Sequence, residues 1–292
     1  MVRIEYVEAA SSDEVLAALS QWGPDARLIA GGTDVLMDIR RGKYTPPVLI
    51  GITEIPELQG IRPTEGGLWI GAVTTHHAVT MSPLVLERYP VLASASGKVG
   101  SHQIRNVATI GGNICNAVPC ADTAPALLAL DAQAHVLGPE GKRVLPLDGF
   151  FAGPGRSVLA RNELLLGFVL PDRLAGAGGS YHKHSWREAL DIQMCGAAVV
   201  LTADPGDCRC LEARIALGTA GPVPRRADAA EAALKGAVVN EELASELGRI
   251  AAAEARPRTS ARATEEYRRE MIEVLVKRAI LDALAHIKGA RS

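Results

Sequence analysis

The sequence predicts an α+β protein made of two small α/β units and a C-terminal piece in which strands precede helices. Three observations carry this. At 292 residues the chain is too long for one ordinary core, so two or three domains of roughly 100–150 residues are expected. Up to Pro171, apolar strand-like runs interleave with helical ones and with two Gly-Gly turns. Beyond a Gly-rich stretch at 172–180 the order changes to strands and then helices.

In chain order, "VRIEYVEA" reads as a short strand, and Ser11-Ser12-Asp13-Glu14 as the cap of the helix "EVLAALSQW". "ARLIAGGTDVLMDIRRG" reads as an apolar strand, the Gly31-Gly32 turn and a helical continuation. "PVLIGI" is a second buried strand that closes the first unit near residue 55. From 56 onward, "GGLWIGAVTTHHAV" carries strand signals and "SPLVLERYPVLASASGKVG" reads as one helix. "RNVATIGGNICNAVPCADTAP" is a β-branched run entering a second Gly-Gly turn. A helix, a strand, the turn "GPEG" and another strand follow in "TAPALLALDAQAHVLGPEGKRVLPLDGFF", and "NELLLGFVLP" is a strand ended by Pro171. "DRLAGAGGS" is the expected linker. After it, "QMCGAAVVLTAD" and "LEARIALGTAG" read as hairpin strands, and "RADAAEAALKG" and "EELASELGRIAAAEA" as helices. The closing helix carries Met271, Val274, Leu275, Ile280 and Leu284 at helical spacing. The expected domains are 1–175, with lobes of about 1–55 and 56–175, and 178–288.

Composition excludes several classes. With 48% hydrophobic and 22% charged residues the chain is globular, and a net charge of −2 gives no electrostatic case for nucleic acid or an anionic membrane. Basic residues cluster at Arg256, Arg258, Arg262, Arg268 and Arg269, but Glu254, Glu265, Glu266 and Glu270 interleave with them, as on a solvated helix face. No apolar leader opens the sequence and no apolar run approaches the ~20 residues of a membrane span, so the cytoplasm is expected.

Five cysteines, an odd number in a large chain, argue against a disulfide scaffold. Cys115 and Cys120 are four residues apart, Cys208 and Cys210 one, and no C-x2-C occurs; core or turn cysteines fit better than metal ligands. His76 and His77 follow two threonines at a strand end and read as exposed or locally hydrogen-bonded. Neither a P-loop nor G-x-G-x-x-G is present. The chain has instead "IAGGTD" at 29–34 and "TIGGNI" at 109–114. Paired glycines let successive N–H groups face an anion, and Thr33, Thr109 and Asn113 add side-chain donors. Two such turns in consecutive units suggest a diphosphate held between lobes, hence a dinucleotide cofactor in a cleft. Asp122, at the start of "TAPALLALDA", is either a helix-start carboxylate or an acceptor for sugar hydroxyls.

At "IAGGTDVL" and "IRNVATIGGNICNAVPCADTAPALLALDA" the chain resembles the FAD-binding medium subunit of the molybdenum hydroxylases, the xanthine dehydrogenase and carbon monoxide dehydrogenase family. "YHKHSWREALDIQMCGAAVVL", "ALGTAGPVPRRADAAEAALKG" and "EEYRREMIEVLVKRAI" extend the resemblance over almost the whole chain. It implies a two-lobed FAD domain of the vanillyl-alcohol-oxidase (PCMH) type followed by a smaller α+β C-terminal domain. It implies that Leu28, Ile29, Ala30, Gly31, Gly32, Thr33, Asp34 and Val35 wrap the FAD diphosphate, with Thr109, Gly111, Gly112 and Asn113 as the second wall. By the same resemblance Asp122 contacts the flavin's polyol chain, Leu166 and Val99 pack against the isoalloxazine, and Lys183 lies near the carbonyl end of the ring. There are departures: Val99 stands where some members place an aromatic residue, the "SDxR" form is missing around Ser260 to Arg262, and there is no cysteine-rich insertion for a further iron–sulfur cluster.

The function implied is electron relay. Molybdopterin-bound molybdenum in a large partner subunit, and two [2Fe–2S] clusters in a small one, would feed the FAD of this chain, which passes electrons to NAD+, a quinone or O2; a dimer of heterotrimers is expected. No side chain is expected to act as a covalent catalyst or to bind a metal. The alternative is a self-sufficient flavoprotein oxidase or reductase with its own organic substrate, which would need an active-site base in the C-terminal piece.

Overall fold

The computed structural model describes residues 3–173, 176–204 and 206–289. The expected division between domains falls partly on residues 174–175, outside the described residues.

The first lobe is a parallel three-stranded sheet with two helices. Its strands β1 (Glu5–Glu8), β2 (Arg27–Ile29) and β3 (Val48–Gly51) lie in the order β1-β3-β2. Helix α1 (Ser12–Trp22) starts where expected: Ser11 Oγ accepts the N–H of Glu14 at 3.2 Å, and the Glu14 carboxylate accepts the N–H of Ala10 at 2.8 Å. It ends at Gly23, whose φ of 70° few other residues tolerate. Helix α2 (Val35–Arg40) follows the first Gly-Gly turn.

The second lobe centres on an antiparallel sheet of β4 (Ile61–Thr64), β5 (Gly67–Gly71), β6 (Gln133–Gly138), β7 (Gly141–Pro146) and, after the small hairpin β8 (Phe151–Gly153) and β9 (Arg156–Ser157), β10 (Leu164–Pro171). Its order is β4-β5-β10-β6-β7. Between β5 and β6 run α3 (His76–Met81), α4 (Pro83–Arg88), α5 (Pro90–Gly97), α6 (His102–Arg105), α7 (Ile110–Cys115) and α8 (Thr123–Ala129). The single helix expected over 82–100 is two, because Pro90 has no N–H to continue the first and Tyr89 turns out of helical geometry at φ −137° and ψ 53°. The strand expected before the second Gly-Gly turn is only an isolated bridge between Thr75 and Thr109. Gly111 and Gly112 lie inside a short helix capped by Thr109.

β10 is shared between two cores. Leu164 and Leu166 face the first-lobe core with Trp69, Ile50 and Val15, while Leu165, Phe168 and Leu170 face the helices with Leu68, Ile70 and Leu127. The change of phase after Leu165 is a bulge, where the register with β6 shifts between Leu165 and Gly167.

In the C-terminal part, β11 (Ala177–His184), β12 (Cys195–Ala203), β13 (Cys210–Gly218) and β14 (Arg225–Arg226) form an antiparallel sheet in chain order. Part of the stretch expected as linker, from Ala177 onward, is therefore strand. Two-residue alternation on β12 sends Ala197, Val199 and Leu201 to the helices α9 (Asp228–Leu234), α10 (Glu241–Glu254) and α11 (Glu265–Gly289), and Ala198 to the core of the second lobe. On α11 the buried stripe is Ile272, Leu275, Val276, Ala279, Ile280, Ala283 and Leu284, so Met271 and Val274 sit at its margin. Arg268 departs from the expected solvated face. It is buried, donates to the Met194 carbonyl and reaches Ser260 Oγ at 2.8 Å.

Candidate functional site

A cleft of about 800 Å³ opens between the lobes, within the range of small-molecule sites. Leu28, Ala30 to Val35, Val99, Thr109, Gly111 to Asn113 and Asp122 line it. Ile29, Leu166 and Lys183 do not. Leu166 is buried in the first-lobe core, while its neighbours Leu164 and Leu165 reach the cleft. Ile29 ends β2, and Lys183 lies one side chain behind the wall, on Asp122.

The two Gly-Gly turns, alike in sequence, differ in chemistry. In the first, the backbone N–H groups of Gly31, Gly32, Thr33, Asp34 and Val35 find no acceptor among the described residues. Five successive donors beside a cleft make an anion-binding backbone. Gly32 holds φ at 70°, and Gly31 has no room for a side chain: a Cβ there would lie 1.8 Å from the carbonyl oxygen of Val107. The first lobe is thus pressed against the second at this glycine.

In the second turn every donor is already taken. Ile110 N–H donates to Thr74 O (3.0 Å), Gly111 to Ala72 O (2.8 Å), Gly112 to Thr109 Oγ1 (3.1 Å) and Asn113 to Thr109 O (3.0 Å). The expectation of converging N–H groups fails here, because α7 packs against the residues after β5. Gly111 serves that packing; its Cβ would meet Ala72 O at 2.6 Å. What this wall offers the cleft is the Asn113 side chain. Its Oδ1 accepts the Thr123 hydroxyl at 2.6 Å, which leaves the amide NH2 as donor.

Asp122 stands at the start of α8, as the helix-start reading expects, but makes no side-chain cap hydrogen bond there. Its buried carboxylate is held from the C-terminal sheet. Lys183 Nζ donates to Oδ2 at 2.9 Å, Tyr181 Oη to Oδ1 at 3.0 Å and Gln193 Nε2 to Oδ1 at 3.3 Å. Burial raises its pKa above the ordinary carboxylate value, against the Lys183 charge and these hydrogen bonds, which lower it. Lys183 also donates to the carbonyls of Lys98 (3.1 Å) and Asp191 (2.9 Å), tying together three segments of the wall.

Several lining residues escaped the sequence reading. Arg27, Arg41 and Lys43 bring cations near the first turn, and "RRGK" at 40–43 was a visible signal. Leu190, Asp191 and Ile192 come from the segment after β11 and had none. His76 contradicts its expected exposure. It is fully buried, both ring nitrogens lack a partner among the described residues, and burial with the nearby Arg105 pushes its pKa down to about 4; His77 is exposed. Cys115 and Cys120 line the cleft, and all five cysteines are free thiols. Among the described residues no group of three His, Cys, Asp or Glu side chains could hold a metal ion, and no helix is long and apolar enough to cross a membrane.

Comparison with known proteins gives this geometry a context. Residues 2–173 match the model of the FAD binding domain in molybdopterin dehydrogenase, and residues 180–283 that of the CO dehydrogenase flavoprotein C-terminal domain. The chain is 35% identical over 286 residues to a putative xanthine dehydrogenase FAD-binding subunit of Escherichia coli K12, covering 97% of each. It is 34% identical over 283 residues to the carbon monoxide dehydrogenase medium chain of Hydrogenophaga pseudoflava, covering 97% of this chain and 98% of that one. A solved structure of carbon monoxide dehydrogenase from the same organism superposes with a TM-score of 0.93 at 36% identity over 97% of this chain and 98% of the other. Quinoline 2-oxidoreductase from Pseudomonas putida 86 superposes with 0.92 at 26% identity, covering 98% of each.

Proposed function

The chain belongs to the family of FAD-binding subunits of the molybdopterin dehydrogenases, and from that premise we propose that it is the electron-transfer subunit of a cytoplasmic complex with a large molybdopterin subunit and a small [2Fe–2S] subunit. In this reading it relays electrons from two [2Fe–2S] clusters to NAD+, a quinone or O2, within a dimer of heterotrimers.

The observation that carries the reading is the row of unpaired N–H groups from Gly31 to Val35, with Arg27, Arg41 and Lys43 nearby. A diphosphate seated there meets donors with no competing protein acceptor, and cations that offset its charge. The rest of the cleft suits the remainder of an FAD. Val99, Leu164 and Leu165 supply apolar wall, and the Asp122 carboxylate accepts hydrogen bonds from polyol hydroxyls. When bound, FAD supplies the conversion between one-electron and two-electron transfer. The side chains of this protein bind it, orient it and set the charge around it. Lys183, buried behind Asp122, pairs with its carboxylate and so holds that acceptor at the wall of the cleft.

Titration of the full chain with FAD, FMN and riboflavin, followed by flavin fluorescence, tests the reading. FAD is expected to bind one to one and ~100-fold tighter than FMN, the loss expected when about two charge-assisted hydrogen bonds to the second phosphate disappear. Equal affinity for FAD and riboflavin would remove the diphosphate role of the first turn. Absence of flavin absorption after FAD addition would sink the reading altogether. Co-expression with the two partner subunits, followed by assay of the assembled complex with NAD+, quinone and O2 in turn, identifies the acceptor.

A further inference from the structure

The Asp122 carboxylate is approached on both oxygens from residues far along the chain, and one side chain there has had space cut for it. Gln193 is 1% exposed. Its Oε1 accepts the Thr219 hydroxyl at 3.1 Å, which orients the amide so that Nε2 donates to Tyr181 Oη at 2.6 Å and to Asp122 Oδ1 at 3.3 Å. Tyr181, accepting from Gln193, then has its one hydroxyl hydrogen for Oδ1. Two glycines make room for the amide: a Cβ at Gly196 would lie 2.4 Å from Gln193 Nε2, and one at Gly218 2.1 Å from Oε1. Thr219, a β-branched residue, is held at φ 55°, a left-handed conformation that costs about 1–3 kcal/mol unless its surroundings impose it. Its N–H donates to the carbonyl of Pro119 at 2.8 Å, and with its hydroxyl on Gln193 Oε1 this fixes the residue between the two segments.

We propose that Tyr181 and Gln193 are positioning residues that act through Asp122, occupying Oδ1 so that Oδ2, which among the described residues only Lys183 bonds, is left to a hydroxyl of the FAD polyol chain. The proposal rests on the FAD reading given above. Without these two partners Lys183 alone holds the carboxylate, which is then free to rotate about χ2. The C-terminal sheet thereby acts on the cofactor site through Asp122.

The test is a double-mutant cycle on FAD affinity, measured on the full chain by fluorescence quenching, with Tyr181→Phe, Gln193→Met and Asp122→Asn alone and in pairs. Asp122→Asn is expected to weaken FAD binding ~10–100-fold, and Tyr181→Phe or Gln193→Met ~10-fold each, as for a lost hydrogen bond to a charged group. In the Asp122→Asn background either second change is expected to cost less than about twofold. A pH profile gives an independent readout. Tyr181 and Gln193 stabilise the ionised carboxylate, so Tyr181→Phe moves the acid limb of FAD binding to higher pH; Lys183, Tyr181 and Cys120 are the titratable groups that face Asp122. Thermal melting of the flavin-free variants reports folding, and if one single variant does not fold the other carries the cycle.

Equal losses in the wild-type and Asp122→Asn backgrounds overturn the positioning role and leave FAD binding intact. Unchanged FAD affinity in Asp122→Asn overturns it by removing Asp122 from the site. A wild-type chain that binds no FAD overturns the functional reading and this inference together.

Discussion

Gly31→Ala tests whether the first turn works by where it is held. The added Cβ would start 1.8 Å from Val107 O and 2.5 Å from Val107 C, and an ordinary carbon–oxygen contact is about 3.3 Å. One backbone must therefore retreat by about 1.5 Å, and neither is free to do so. Val107 is followed by Ala108, whose carbonyl accepts the N–H of His76 at 3.0 Å, and Gly31 directly precedes the φ 70° of Gly32. Overpacking of this kind costs typically 1–3 kcal/mol of stability. A shift of that size also misaligns hydrogen bonds that need donors within about 3 Å. Losing two of the turn's bonds to a diphosphate, at roughly 1.5 kcal/mol each, weakens FAD binding ~100-fold. Gly32→Ala is the informative control. Its Cβ would meet Leu36 Cδ1 at 3.0 Å, the end of a flexible side chain, so its cost is mainly that of the left-handed backbone, about 1–2 kcal/mol. Urea unfolding and FAD titration of both variants are the assays. If Gly31→Ala binds FAD within twofold of wild type, or is less damaged than Gly32→Ala, the clamped-turn argument is wrong.

Four further outcomes are expected. Lys183→Met leaves the Asp122 carboxylate buried without its cation and should cost about 3–5 kcal/mol in urea unfolding; a loss under about 1 kcal/mol would show that the pair is solvated. His76, with its pKa lowered from 6.5 to about 4 in the fold, takes up its proton more readily when unfolded. Its stability contribution is therefore present above pH 6.5 and is lost as pH falls towards 4, a difference on the order of 3 kcal/mol that should be missing in His76→Leu melts over the same range. Phe168→Ala, emptying a fully buried site on β10, should cost about 3–5 kcal/mol, and an intact melting temperature would contradict the core assignment. Maleimide labelling followed by mass spectrometry should leave Cys195 and Cys210 unmodified until the chain unfolds, since burial raises their thiols to about 12 and about 11.

Much of this architecture was legible from local chemistry. Ser11 and Glu14 announce α1, Gly31-Gly32 after an apolar run marks the first turn, and the strands from 195 and 210 show in their apolar content. What was hidden depends on partners distant in sequence. The two Gly-Gly turns read alike, yet one keeps its donors free and the other spends them on Ala72, Thr74 and Thr109, a difference set by packing. Which leucines of β10 reach the cleft was hidden too: Leu164 and Leu165 line it while Leu166 is buried in the first-lobe core, on a strand whose bulge is set by its register with β6. Gln193 carries no local signal of its role in the sequence. Its place beside Asp122 depends on a contact spanning 71 positions and on clearances at Gly196 and Gly218.

That separation has a consequence in time. The partners of Asp122 follow it by 59, 61 and 71 residues, and at about 5–20 residues per second the ribosome delivers them roughly 3 to 14 s after Asp122 itself. Until then a helix with seven buried residues begins at a carboxylate that cannot leave water unpaired. Burial of that carboxylate is therefore expected to be the last step of the second lobe's folding, and a chain truncated before Tyr181 to keep it in water, which hydrogen exchange at α8 would report.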